Sequence, residues 1–181
     1  MTQTQKFIFE IPILVLMFWI WQSFELSFLQ IPWRGGALQL IPVVLTYVAL
    51  TRSWTMLTLV SLLFLNVQSF TSGYSAPLIV ALGLWTALMT RLFAKEFAVE
   101  GRWKFSFLAI GAFAFNKLLV FVSMRYQDLN CPLSSFIQSL GISSLAHFLL
   151  AYAMFPFMIV WDEFFGHEVA ESRDLNPGVL R

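Results

Sequence analysis

The 181-residue sequence is poor in charge, cysteine and histidine. Only 12% of its residues are charged, it contains one cysteine and two histidines, and its formal net charge is +1. A single cysteine cannot form an internal disulfide, and Cys131 is not spaced from the histidines as metal ligands are. A net charge near zero, with no stretch that interleaves basic and aromatic residues, also argues against nucleic-acid binding.

Apolar side chains dominate the composition instead. Hydrophobic residues make up 59% of the chain, and the mean hydropathy is +0.75. Soluble domains are roughly 45–50% apolar and about 25% charged. Long uncharged runs, such as 11–22, 37–51 and 145–161, would be exposed to water in a soluble protein but match the solvent of a bilayer. The sequence therefore predicts an all-α membrane protein, a polytopic bundle of about six transmembrane helices.

Breaks in the apolar pattern divide the chain into its predicted spans. We expect them at about 7–28, 37–51, 54–70, 75–93, 105–124 and 143–161, followed by a polar tail at 162–181. The second span is short and carries Pro42, which predicts a tilt or a kink. The first span carries Glu10 and Glu25 and is not followed by an Ala-x-Ala cleavage site, so we interpret it as a retained helix.

The distribution of lysine and arginine predicts the orientation of the bundle. With six spans, one side holds both termini and most of the basic residues, whereas the opposite side holds Arg34 and Arg125. Cytoplasmic loops keep the excess of lysine and arginine. We therefore expect a multi-pass protein of the bacterial inner membrane with both termini in the cytoplasm.

Four ionisable residues fall inside or near the spans, where such groups are costly and are functional candidates. Glu10 and Glu25 lie near the ends of the first span, and we expect their carboxylates to reach the headgroups. Lys117 lies near the middle of the fifth span, so either its long stem reaches an interface or its amine finds a partner on another helix. His147 lies near the start of the sixth span.

No pattern in the sequence amounts to a catalytic or metal site. Ser143 and Ser144 precede His147 by one helical turn, but no Gly-x-Ser-x-Gly motif frames a nucleophile, and small residues here favour close helix packing. Glu163 and His167 are four residues apart and would share a helical face, which a solvated helix end explains equally well. The sequence predicts no enzymatic activity, no cofactor and no bound metal.

Features of the second to fourth spans resemble the MreD family of bacterial rod-shape proteins. The matching pieces are the span Pro-Val-Val-Leu-Thr-Tyr-Val-Ala-Leu, the following span that ends in Leu-Asn-Val-Gln-Ser-Phe-Thr-Ser-Gly-Tyr, and a basic segment after the fourth span. In that family the third span typically ends in an aspartate. Asn66 stands at that position here, whereas Ser69, Ser72 and Gly73 keep the small-residue pattern.

This resemblance implies a scaffold without enzymatic activity. Such a protein would bind a bitopic MreC-like partner in the membrane and help to position the cell-wall synthases of the elongation machinery, in contact with membrane lipids and with no small-molecule substrate. The candidate partner-binding residues are Asn66, Ser69, Ser72, Gly73, Arg91, Lys95, Arg102 and Lys104. The same residues are equally compatible with internal packing and with the positive-inside rule alone.

Two other functions remain open from the sequence. The first is a substrate-binding subunit similar to the S-components of energy-coupling factor importers, which have six spans and a similar size. Such a subunit needs a polar cavity, for which the fifth and sixth spans offer few groups beyond Asn116, Lys117 and His147. The second is a membrane enzyme that acts on lipid through His147 or through the Glu163 and His167 pair.

Overall fold

The computed structural model describes residues 3–24, 39–72, 75–96, 101–126 and 132–165, and within these ranges the chain forms six helices and no strand. The helices are α1 (Gln3–Phe24), α2 (Leu40–Thr51), α3 (Trp54–Ser72), α4 (Ala76–Glu96), α5 (Gly101–Tyr126) and α6 (Leu133–Phe164). The predicted all-α bundle is confirmed. The sixth helix begins ten residues before the predicted span, because the amphipathic stretch 133–140 continues into it.

Three helical stretches are long and apolar enough to cross a membrane: Pro77–Ala94, Gly101–Tyr126 and Phe136–Phe164. Large apolar side chains point outward from the last two, such as Phe107, Leu145 and Phe157, each more than 60% exposed. A surface of this kind matches hydrocarbon and not water. The apolar stretches found in α1, α2 and α3 are shorter, so six full spans remain a prediction.

Helix α2 is a short helix at the centre of the bundle. Its twelve residues are about 18 Å long, against a hydrocarbon core of roughly 30 Å. Nine of the twelve are buried, and the helix packs against α3, α4, α5 and α6. Pro42 is its third residue, within the first turn, where a missing N–H leaves no helical hydrogen bond unmade. The second span was predicted at 37–51, whereas the helix that the structure describes is Leu40–Thr51 and is surrounded by protein.

Helix α2 also contributes to both apolar cores of the bundle. Ile41, Leu45 and Val48 pack with residues of α1, α3 and α4 in one cluster, which includes the stacked rings of Phe18 and Phe64. On the other side of α2, a second cluster joins it to α5 and α6; its members are Val43, Tyr47, Phe105, Ala109, Ala151, Phe155 and Met158. The position of α2 thus determines how the two halves of the bundle meet.

Candidate functional site

A buried ion-pair network lies at the end of the bundle that holds the α2–α3 turn, which we call the basic end. The Arg52 Nη2 atom donates to Glu10 Oε1 at 3.0 Å and also to Asp162 Oδ1. The indole N–H of Trp161 donates to the same Glu10 oxygen at 3.1 Å. The network joins α1, the α2–α3 turn and α6, which are remote in the sequence.

The carboxylates of this network are almost completely buried. Glu10 is 1% exposed and Asp162 is 0% exposed. The hydroxyl of Tyr47 lies between α2 and α6, 2.6 Å from Asp162 Oδ2 and 3.1 Å from the carbonyl of Met158. Because both carboxylates are surrounded by donors, their charge is compensated inside the protein and not by water.

The guanidinium of Arg52 stays charged in this environment. Burial alone would lower the pKa of Arg52, but its hydrogen bond to Asp162 and the negative charges of Asp162 and Glu10 outweigh that effect and raise it above the ordinary value. Two carboxylates and one guanidinium therefore form a cluster in which every charge has a partner. The prediction that Glu10 reaches the headgroups was wrong, because Arg52 supplies a closer partner inside the bundle.

Arg91, which belongs to α4, also lies at the basic end. Its Nη1 atom donates to the carbonyl of Ala49 at 3.3 Å and to the carbonyl of Arg52, and its guanidinium lies 4.5 Å from the ring centroid of Trp54. The last carbonyls of a helix have no intrahelical partner, and a cation is favourable there. Arg91 thus stabilises the end of α2.

At the opposite end of the bundle, which we call the far end, His147 binds the start of α2. Its Nε2 atom accepts the backbone N–H of Gln39, the N-cap residue of α2, at 3.0 Å. Its Nδ1 atom lies 2.7 Å from the carbonyl of Ser143, and its ring stacks on Phe113 with 3.7 Å between centroids. The imidazole therefore acts as a buried cap for α2.

The bonding of His147 does not suit a serine–histidine nucleophile pair. With Nε2 accepting the Gln39 N–H, the Nδ1–H is left to donate to the Ser143 carbonyl, so neither nitrogen remains to take a proton from a hydroxyl. The Ser143 Oγ atom is buried and has no hydrogen-bond partner among the described residues. The imidazole is committed to backbone groups on both sides.

A polar chamber of about 120 Å³ lies beside this cap at the far end. Its polar lining residues are Gln39, Gln68, Asn116, Lys117 and Ser123. The Asn116 side chain donates to Thr86 Oγ1 at 3.1 Å, which ties α5 to α4. The ammonium of Lys117 lies 5.6 Å from the ring centroid of Phe113. Lys117 is half-buried, and it is the one charged group among the described residues that line the chamber.

A search of family models, of characterised proteins and of solved structures found no match to this chain.

The predicted partner-binding residues do not form a single patch. Asn66 is exposed near the end of α3, where its amide donates to the carbonyl of Leu62 at 2.6 Å. Ser69 and Ser72 belong to the last turns of the same helix, and Gly73 lies outside the described residues. This group therefore belongs to the far end of the bundle.

The four basic residues predicted between positions 91 and 104 lie at the basic end, and each belongs to a helix. Arg91 and Lys95 belong to α4, whereas Arg102 and Lys104 belong to the first turn of α5. Arg91 faces the end of α2, but Arg102 and Lys104 are exposed, with the Arg102 guanidinium 6.0 Å from the ring centroid of Tyr152. Arg102 and Lys104 therefore present their side chains outward, unlike Arg91.

Sequence reasoning missed the ion-pair network. Asp162 was placed in the polar tail, but α6 continues to Phe164 and buries it. One signal was available, because Glu10, Arg52 and Asp162 all fall at the same predicted side of the bundle. No group of three or more residues that could hold a metal ion occurs in the described ranges, and His167 lies outside them.

Proposed function

We propose that the chain is a non-enzymatic membrane scaffold of the bacterial cell-shape and elongation machinery, which binds an MreC-like single-span partner and helps to position cell-wall synthases. The observation that carries this proposal is the use of the buried polar groups. Arg52, Arg91 and His147 all bind other buried side chains or the ends of α2. Side chains of the kind that a catalyst would direct at a substrate hold α2 in place here.

The outer surface supports the same proposal. Large apolar side chains project from α5 and α6, and such a surface suits a transmembrane helix of a partner as well as lipid. Asn66 adds an exposed amide near the end of α3, at the position of the aspartate in MreD-like sequences. Arg102 and Lys104 offer exposed positive charge at the basic end for an acidic partner segment or an anionic lipid.

The proposed orientation places the basic end and both termini in the cytoplasm of a bacterial cell, with the helices in the inner membrane. The exposed Arg102 and Lys104 support this orientation, since basic residues accumulate on the cytoplasmic side. A topology reporter fused after Arg181 should be active only in its cytoplasmic form. Activity of the external form alone would contradict the orientation.

The scaffold proposal is tested by depletion and by co-purification. Depletion in a rod-shaped host should give rounded cells, and the tagged chain should co-purify with an MreC-like single-span protein. Asn66→Leu should weaken that capture, whereas Thr58→Leu should not, because Thr58 is also exposed on α3 but lies two turns closer to the basic end. Normal cell shape together with no captured single-span partner would refute the proposal.

The polar chamber favours one alternative, a substrate-binding subunit similar to the S-components of membrane importers. Its amides and its cation come from the start of α2 and from α3 and α5, which is the kind of convergent polar lining that a ligand site needs. A vitamin-sized ligand of such a subunit should raise the unfolding temperature of the purified protein in proportion to the logarithm of its concentration. A panel of such ligands without any shift would exclude this alternative.

A further inference from the structure

We propose that the polar chamber at the far end binds one phosphate-type oxyanion, either the headgroup of an anionic lipid or a free phosphate. This inference goes beyond the scaffold function and does not depend on it. It is carried by the charge, the donors, the size and the depth of the chamber.

The electrostatics of the chamber favour an anion. Lys117 contributes a positive charge, and no aspartate or glutamate is found among the described lining residues. Helix α2 begins at the chamber, because its N-cap residue Gln39 is part of the lining. The start of a helix carries a partial positive charge, and although His147 accepts the backbone N–H of Gln39, the Gln39 side chain makes no capping hydrogen bond of its own. Both contributions have the same sign and favour the same kind of ligand.

The remaining polar groups suit an oxyanion with several acceptor oxygens. The side chains of Gln39 and Gln68 carry amide donors, whereas the hydroxyl of Ser123 already donates to the carbonyl of Leu119 at 2.9 Å. These donors come from different elements and surround the space that Lys117 borders. A tetrahedral phosphate can accept from several directions at once, as this lining requires.

The size of the chamber restricts the ligand to a small group. Its volume of about 120 Å³ is well below the roughly 300–1,000 Å³ of pockets that enclose whole drug-sized ligands. It resembles in size a cavity that holds one benzene molecule, about 150 Å³. The chamber therefore encloses a single headgroup or a free ion, and the vitamin-sized ligand of the importer alternative would have to extend beyond it.

The depth of the chamber suits a lipid headgroup. Ser123 and Met124 belong to the last turn of α5, which ends at Tyr126, and both line the chamber. Lys117 lies nine residues before that end, at about 14 Å along the helix axis. Its long stem can carry the ammonium toward the headgroup level. A phosphate at the end of the bundle can therefore meet the ammonium inside the chamber.

The test measures the unfolding temperature of the full-length protein in mixed micelles. Phosphatidylglycerol is compared with phosphatidylcholine, whose phosphate carries a choline cation that would find no carboxylate among the described lining residues. Sodium phosphate is compared with sodium chloride at equal ionic strength. We expect a rise of roughly 3–5 °C at a tenfold excess over the dissociation constant. A rise with phosphatidylglycerol alone identifies a lipid, and a rise with phosphate alone identifies a free ion.

The matched variants are Lys117→Met and Arg125→Met. Both remove one cation from the far part of α5, but Arg125 is exposed and does not line the chamber. Lys117→Met should abolish the rise, Arg125→Met should keep it, and Lys117→Arg should restore most of it. The inference fails if neither anion stabilises the wild-type protein, or if Lys117→Met responds as the wild type does. The wild-type comparison decides the matter even if Lys117→Met does not fold.

Discussion

Replacing Arg52 by methionine tests the ion-pair network most directly. The substitution keeps an unbranched side chain of similar length but leaves Glu10 and Asp162 buried without their cation. Removing one partner of a buried ion pair costs about 3–5 kcal/mol, because the remaining charge is no longer compensated. Since two carboxylates depend on Arg52, we expect a loss of about 5 kcal/mol. For a chain of this size that corresponds to a fall of roughly 10–20 °C in the unfolding temperature.

The partners of Arg52 should rank below it. Glu10→Gln leaves Arg52 paired with Asp162 and should cost about 1–3 kcal/mol, the usual effect of losing one charged hydrogen bond. Asp162→Asn should cost about as much as Glu10→Gln, because each carboxylate accepts from Arg52 and from one further side chain, Tyr47 for Asp162 and Trp161 for Glu10. Adding Arg52→Met to a background that carries both neutral substitutions should cost much less than Arg52→Met alone, since no uncompensated carboxylate is left.

The free energy of unfolding can be measured in mixed micelles by denaturing-detergent titration with tryptophan fluorescence. Arg102→Met is the control, because Arg102 is an exposed arginine at the same end of the bundle. Equal losses for Arg52→Met and Arg102→Met would refute the network. So would an Arg52→Met effect that is unchanged in the doubly neutral background.

Three further predictions use the same measurement of unfolding. Gly83→Ala should cost about 1–3 kcal/mol, because a Cβ atom there would overlap the buried side chain of Leu65. Gly111→Ala, where the new atom has open space, should cost nothing, and equal effects would contradict this packing. Tyr47→Phe should cost about 1–3 kcal/mol through the loss of its bond to a buried carboxylate. His147→Phe keeps a ring for stacking but leaves the backbone N–H of Gln39 without its acceptor, and it should cost about 1–3 kcal/mol. A neutral result would exclude the cap.

Most of the fold could be predicted from the sequence, because apolar runs and their breaks are local properties. Pro42 and the short apolar run around it predicted a second helix that differs from the others. The run could not show that protein surrounds α2, since burial depends on the helices that pack around it. The start of α6 at Leu133 was also uncertain, because an amphipathic stretch can lie outside a membrane or continue a helix.

The candidate sites were much less predictable. Tyr47 and Asp162 are 115 positions apart in the sequence, and Gln39 and His147 are 108 apart, so no local pattern connects either pair. A lone carboxylate near a span end looks the same whether it meets lipid headgroups or an arginine from another helix. Lys117 was identified as an unusual residue, but the amides that share its chamber come from other helices and could not be assigned to it.

The contacts between the short α2 and α6 have a consequence for the synthesis of the protein. The backbone N–H of its N-cap residue Gln39 is bound by His147, and the hydroxyl of Tyr47 is bound by Asp162; both partners belong to the helix made last. When only the first five helices have been synthesised, α2 therefore lacks its contacts with α6. At this stage it is also too short to cross the bilayer on its own. Ribosome-released fragments that end before residue 143 should be degraded quickly, whereas α6 supplied as a separate segment should rescue them.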